Sequence, residues 1–282
     1  MPSGFDVIVL GVGGFGSGTL YHLARRGARV LGIEQFGVAH DRGSSHGQTR
    51  IIRQAYFEHP DYVPLLRRAY DLWHALEQET GRTLFHQVGL FLAGAPDAEA
   101  IHGTQLAAQT HQLPLERLDA LQARNRFPGY RFPEDWAVLF ERQAGYLAVE
   151  ACVQAHVDAA LAHGAQLLTG ETVRGIEPTN DGVRVRTDRE TYDAGRLVVT
   201  AGPWAARLLA EVGTTAGWSD CLRVVRKPVF WFPAGAEFDV AQGNSTFFFE
   251  TAAGQFYGFP RLDGRSIKVA EHTQGDAVDD PL

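Results

Sequence analysis

The chain has 282 residues, 45% of them hydrophobic and 21% charged, an ordinary globular balance with enough apolar material for a sizeable core. Its 26 basic and 33 acidic residues give a net charge of -7, which disfavours nonspecific binding to nucleic acid or to an anionic membrane surface. Cys152 and Cys221 make neither a disulfide framework nor a zinc site, and no apolar run approaches the ~20 residues that a membrane span needs.

The N-terminal residues carry no charged-then-apolar leader pattern and run straight into an unbroken apolar segment, residues 6–10 (DVIVL). Such a run reads as a strand buried on both faces. A Gly-rich turn follows, then a helix over about 15–26 with Gly27 suited to its C-terminal cap. Residues 29–34 (RVLGIE) read as a second strand, so the chain opens with a β-α-β unit. Residues 37–48 form a polar loop rich in Gly, Ser and His. A helix is expected over about 62–80, where Leu65, Leu66, Ala69, Leu72, Trp73 and Leu76 fall at helical spacing before Gly81.

From about Leu84 the texture changes to short strands, such as 89–93, and Pro-containing turns. Residues 148–162 read as a helix with Val149, Cys152, Val153, His156, Val157, Ala160 and Leu161 on one face, closed by Gly164. Strands are expected at 166–168, 172–176, 183–187 and 196–200. Residues 222–269 return to β texture rich in aromatics. This alternation predicts two domains built from discontinuous segments: 1–85 with 146–217, and 86–145 with 218–282. The fold class is α/β.

The sharpest signal is Gly11-Val12-Gly13-Gly14-Phe15-Gly16, a GxGxxG directly after a strand and opening a helix, with Glu34 at the end of the second strand. Gly11 permits the tight turn, Gly13 lets the backbone approach a pyrophosphate, and Gly16 lets the helix pack close to the strand. The helix start offers N–H groups to phosphates, and the Glu34 carboxylate suits ribose hydroxyls. The fingerprint alone does not separate NAD from FAD. A Gly-rich turn without a ligand is the bland alternative, and the strand-turn-helix context speaks against it.

Residues 43–56 (GSSHGQTRIIRQAY) resemble the signature of the monomeric sarcosine oxidase, N-methyltryptophan oxidase and pipecolate oxidase family. The Ser44-Ser45-His46 form with Gln48 is closer to the pipecolate-type branch. The likeness continues through Tyr62-Val63-Pro64-Leu65, residues 198–204 (VVTAGPW), Arg226-Lys227, Tyr257-Gly258-Phe259-Pro260 and Ile267-Lys268-Val269 with His272. It covers essentially the whole chain. It implies a Rossmann-like FAD-binding domain beside a second domain with a mixed or antiparallel β-sheet that takes the substrate.

The resemblance implies a set of flavin contacts: Gly11, Gly13, Gly14, Phe15, Gly16, Glu34, Gln35, Gly43, Ser44, Ser45, His46, Arg50, Arg53, Val173, Ala201, Gly202 and Trp204. It implies Arg53 as the carboxylate binder, Lys268 as the cation where oxygen is reduced, and Tyr257 and His272 on the substrate side. Guanidinium matches a carboxylate bidentately. The reaction implied removes two electrons from the C–N bond of a small secondary amino acid and yields imine and hydrogen peroxide. The partners are then that amino acid and dioxygen, with no nucleic acid and no membrane, and the chain is expected to be monomeric and cytoplasmic.

Family members continue past the position of Leu282 and carry there the cysteine joined to the flavin. The resemblance therefore implies non-covalent FAD here, and it leaves open an inactive, shortened family member. A dehydrogenase passing electrons to another acceptor is the other alternative; Lys268 argues for the oxidase. Residue type alone would make Lys268 an exposed edge residue, Arg53 half of a surface ion pair and His272 an ordinary member of the 11 histidines. The aromatics Phe247, Phe249 and Tyr257 permit a substrate larger than sarcosine, or are simply core. No metal is expected, since no His/Cys cluster has ligand spacing.

Overall fold

A computed structural model describes residues 4–212, 221–273 and 275–282. The junction expected at 217/218 lies outside them. The elements run β1 (Phe5–Leu10), α1 (Gly14–Arg25), β2 (Val30–Glu34), β3 (Thr49–Ile52), α2 (Val63–Thr80), β4 (Phe85–His86), β5 (Leu90–Gly94) and α3 (Glu99–His111). Then come β6 (Glu116–Leu118), α4 (Ala120–Arg126), β7 (Ala137–Glu141), β8 (Gly145–Ala148), α5 (Val149–Ala162), β9 (Gln166–Thr169), β10 (Val173–Thr179), β11 (Gly182–Thr187) and β12 (Thr191–Val199). The chain closes with α6 (Ala205–Val212), β13 (Val225–Arg226), β14 (Val229–Pro233), β15 (Thr246–Thr251), β16 (Gly254–Phe259), β17 (Ser266–Glu271) and β18 (Asp276–Ala277).

The apolar runs of β1 and β2 become central strands of a six-stranded sheet ordered β10-β11-β12-β1-β2-β9. β12, β1, β2 and β9 are parallel, and β10 and β11 join them antiparallel. Alternate residues of β1 serve two cores. Val7 and Val9 pack under α1 and α5 with Leu20, Tyr21, Ala24, Cys152 and Ala155. Ile8 and Leu10 pack on the opposite side with Val183, Val185 and Ala194. Full burial of one such aliphatic side chain contributes about 1.5–3 kcal/mol.

A seven-stranded sheet ordered β14-β17-β16-β15-β5-β7-β6 forms the second layer system. It is antiparallel except at β15–β5. Its two faces are also distinct. Phe247 and Phe249 meet Phe91, Phe127 and Phe132 in one core, while Phe248 and Tyr257 meet Phe57, Leu90 and Leu92 in the other. Between the two sheets lies a small antiparallel sheet, β3-β8-β4.

The expected strands and long helices appear with ends shifted by a few residues, and β12 is longer than the strand expected at 196–200. Two expectations need correction. Residues 84–145 contain α3 and α4 as well as strands. The face of α2 is also displaced: Leu65 is 69% exposed, and the buried positions are Val63, Tyr70 and Leu76. Among the described residues no helix is long and apolar enough to cross a membrane.

Candidate active site

The general rule for open α/β sheets puts a ligand crevice at the carboxyl ends of β1 and β2. β2 leads away on one side of β1, and the chain returns on the other side as β12. That reversal of strand order is where open α/β sheets place a ligand. Gly11 has φ +88°, in the left-handed region, and a Cβ there would lie 2.7 Å from the Ala201 Cα. A Cβ at Gly16 would lie 1.8 Å from the Gly11 carbonyl oxygen, so only glycine lets α1 start this close to β1. The Gly14 N–H donates to Ser45 Oγ at 2.9 Å, which ties the Ser45 loop to the helix start. Phe15, in the first turn, is largely exposed.

Glu34 is a buried carboxylate at the end of β2. The Val12 N–H donates to it at 2.8 Å and the Phe36 N–H at 3.1 Å, and His40 Nε2 lies 3.4 Å away. Gln35 follows it, half-buried. The Glu171 N–H donates to the Glu34 backbone oxygen, which brings the start of β10, and with it Val173, to the same edge. Ala201 and Gly202 follow β12 across the crevice, and Trp204 packs its ring 5.6 Å from Phe36. A carboxylate held by backbone N–H groups beside a glycine-lined helix start, whose N-cap residue Gly13 supplies no side-chain cap, fits the ribose and pyrophosphate of a dinucleotide.

The loop holding Gly43, Ser44, Ser45 and His46 runs along this crevice into β3. Arg50 lies on β3; its guanidinium donates to the Thr49 carbonyl at 2.7 Å and to the Ser44 carbonyl. Lys268 comes from the other sheet. It is 4% exposed, on β17, flanked by β14 and β16. Its Nζ donates to the Gly47 carbonyl at 2.5 Å, to Thr49 Oγ1 at 3.0 Å and to the Thr49 carbonyl at 3.2 Å. The Phe259 ring centroid is 4.7 Å from Nζ. Burial, reinforced by Arg50 and opposed by Glu150, pushes the ammonium down to about 8.

Arg53 stands just beyond β3. It is 8% exposed, paired with Glu58 at 3.0 Å and stacked on Tyr56, 4.3 Å from ring centroid to guanidinium carbon. Its Nε is buried and has no hydrogen-bond partner. A charged group this deep normally finds a partner for every donor.

Register puts Lys268, Phe259, Ala270 and Tyr257 on one face of the sheet, and His272 continues that alternation. His272 sits 6.3 Å from Tyr257 and 6.1 Å from Phe57, centroid to centroid. Burial, and then Arg53, lower its pKa, so the imidazole favours the neutral form.

The predicted residues therefore gather in two neighbouring groups along β3. The crevice group holds Gly11, Gly13, Gly14, Gly16, Glu34 and the 43–46 loop. The β3–β17 group holds Arg50, Arg53, Lys268, Tyr257 and His272. Phe247 and Phe249 face the opposite core and leave Tyr257 alone on the site side. Sequence reasoning missed Thr49, Glu58, Glu141, Glu150 and Trp231. Glu58 could have been suspected as an acid near Arg53; the others meet the site through tertiary pairing. Cys152 is buried between helices, with its thiol pushed up to about 12 by burial. Among the described residues no group of three His, Cys, Asp or Glu side chains is arranged to hold a metal.

Residues 6–281 match the family described as FAD dependent oxidoreductase. Monomeric sarcosine oxidase from Streptomyces avermitilis is 42% identical over 280 residues, 98% of this chain and 71% of that protein. N-methyl-L-tryptophan oxidase from Yersinia pestis is 34% identical over 276 residues, 98% of this chain and 72% of that protein. A solved mutant of NikD, described as an unusual amino acid oxidase essential for nikkomycin biosynthesis, superposes with TM-score 0.82 at 28% identity, covering 99% of this chain and 72% of that one.

Proposed function

The chain belongs to the FAD dependent oxidoreductase family, and from that premise we propose that it oxidises the C–N bond of a small secondary amino acid of the sarcosine, pipecolate or N-methyl amino acid type. The amine gives up two electrons and two protons to become an imine, dioxygen becomes hydrogen peroxide, and water hydrolyses the imine where it is not cyclic. Bound FAD supplies the two-electron relay between amine and oxygen.

In this reading the GxGxxG turn and the start of α1 hold the pyrophosphate, and Glu34 takes the ribose hydroxyls. Gln35, Val173, the 43–46 loop, Ala201, Gly202 and Trp204 line the rest of the cofactor, with Arg50 beside the ring system. The six-stranded sheet belongs to the cofactor domain and the seven-stranded sheet to the substrate domain.

Arg53 binds the substrate carboxylate, trading its Glu58 contact and filling the unmet Nε valence. His272, favouring its neutral form, and Tyr257 orient the amine, and His272 accepts a proton as the amine is oxidised. Lys268 holds positive charge where oxygen gains electrons.

The observation that carries this reading is the buried Lys268 ammonium set on the same sheet face as Tyr257 and His272, against the loop that leads from the crevice into β3. Net charge and cysteine content fit a cytoplasmic enzyme, and the relatives' names fit a monomer.

The test is stoichiometry. The FAD-loaded chain, given sarcosine, L-pipecolate and N-methyl-L-tryptophan in turn, should consume one dioxygen and release one peroxide per imine formed with at least one of them. Imine formed only with an artificial acceptor, and no peroxide, would favour the dehydrogenase reading instead.

A further inference from the structure

Glu150 stands in the first turn of α5, outside every assignment above. Its Oε1 accepts from the Gly47 N–H at 2.7 Å and from the Gln48 N–H at 3.0 Å. Both residues are left-handed, with φ +85° and +74°. In this tight turn two successive N–H groups converge on one carboxylate oxygen. Gln48 adopts the left-handed conformation although it carries a side chain, so its surroundings must hold it there. The Val149 N–H donates to the Gln48 carbonyl, and Trp231 Nε1 donates to the Gln48 side chain at 3.3 Å.

The other side of the same turn faces Lys268. The Gly47 carbonyl, the Thr49 carbonyl and Thr49 Oγ1 supply three acceptors for an ammonium that has three donors. Two charged groups act on that ammonium: Arg50 on β3, which disfavours it, and Glu150 on α5, which favours it. From its own sheet it meets the rings of Phe259 and Trp231. Glu150 thus reaches Lys268 by two routes, through the backbone turn and through space.

We propose that Glu150 is a positioning residue for Lys268: by taking the N–H groups of Gly47 and Gln48 it sets the turn that presents the acceptors, and its negative charge favours the ammonium over the free amine. The consequence for oxygen reduction rests on the role given to Lys268 above. The placement itself does not.

The chain has only two lysines, Lys227 and Lys268, which makes a direct test practical. In a K227R background with 13Cε-labelled lysine, one side-chain signal reports Lys268, with or without FAD. E150Q keeps an oxygen able to accept both N–H bonds and removes the charge. Its Lys268 titration midpoint should fall by roughly one pH unit or more, the range for loss of one nearby opposite charge. Amide exchange at Gly47 and Gln48 should stay slow. E150A removes the acceptor as well, so exchange at those two amides should quicken by at least about tenfold and the midpoint should fall further.

An unchanged midpoint in E150Q overturns the charge route, and unchanged amide protection in E150A overturns the backbone route. The E150Q titration stands even where E150A fails to fold. Oxygen consumption against pH separates this proposal from the one beneath it. A profile that moves with the NMR midpoint supports both. A midpoint that moves while the profile stays fixed supports the Glu150 placement and overturns the oxygen role of Lys268.

Discussion

Arg53 is buried, paired on one side with Glu58 and unpaired at Nε. Removing one member of a buried charge pair leaves the other exposed to the same low dielectric, and such truncations cost 30-fold or more in binding, roughly 2 kcal/mol upward. R53A should therefore raise KM for the amino acid on the order of 100-fold, measured by steady-state oxygen uptake. R53K should recover little of it, because ammonium lacks the planar fork. A KM within threefold of the parent in R53A would remove the carboxylate from this residue.

Lys268 makes a pH prediction. Burial lowers its pKa to about 8, so the cation is present below that pH and lost above it. The second-order reaction with oxygen should be flat below about pH 7 and decline above about 8, while amine binding to Arg53 does not follow that step. The sequence alone read Lys268 as an edge residue, because nothing local reveals that β17 lies between β14 and β16. The role proposed for it comes only from the resemblance. The carboxylates Glu141 and Glu150 were not legible at all. Glu141 takes the Gln54 and Ala55 N–H groups, and Glu150 those of Gly47 and Gln48, across long sequence separations.

At the scale of elements, the β1–α1 junction is where sequence and structure agree most closely. The glycine spacing states the close approach, and the structure realises it: a Cβ on Gly16 would collide with backbone, which cannot swing aside. G16A should destabilise the fold by about 3 kcal/mol or more and abolish FAD uptake. Calorimetry with a flavin titration checks both; a G16A chain that melts and binds FAD like the parent contradicts the packing account.

The α1–α5 contact packs a half-buried His156 among Tyr21, His22 and Trp73, and desolvation lowers its pKa to about 4. The unfolded chain binds that proton near pH 6.5, the folded chain only near 4. Stability is therefore intact above about 6.5 and lost as pH falls between the two, by up to about 3 kcal/mol. H156L should flatten that limb of the stability–pH curve; an unchanged acid limb would show that other groups set it.

Helix α3 escaped the sequence reading because its buried face is Ala100, Ile101, Gly103, Thr104, Ala107 and Ala108. Small residues give little hydropathy contrast, so no period stands out. Helix α4 does leave a mark in the sequence, the capping box of Asp119 and Gln122.

At the scale of the molecule, the seven-stranded sheet meets the small β3-β8-β4 sheet at β3, where the Lys268 ammonium of β17 is bound by the Gly47 and Thr49 carbonyls. Alternating α/β and β texture foretold two kinds of sheet. It did not foretell that β3, β4 and β8 form a third, small sheet between them, because strands of two to four residues carry too few side chains for a pattern. For the proposed oxidation, the cofactor crevice and the substrate face must work as one site.

The measurement that tests this most directly is anaerobic mixing of the FAD-loaded chain with sarcosine, L-pipecolate or N-methyl-L-tryptophan, followed through the visible flavin band. Bleaching by at least one secondary amino acid, with colour restored when oxygen is admitted, is the predicted result. A chain that takes up FAD but keeps its full colour with all three, under conditions where their binding is saturated, contradicts the account.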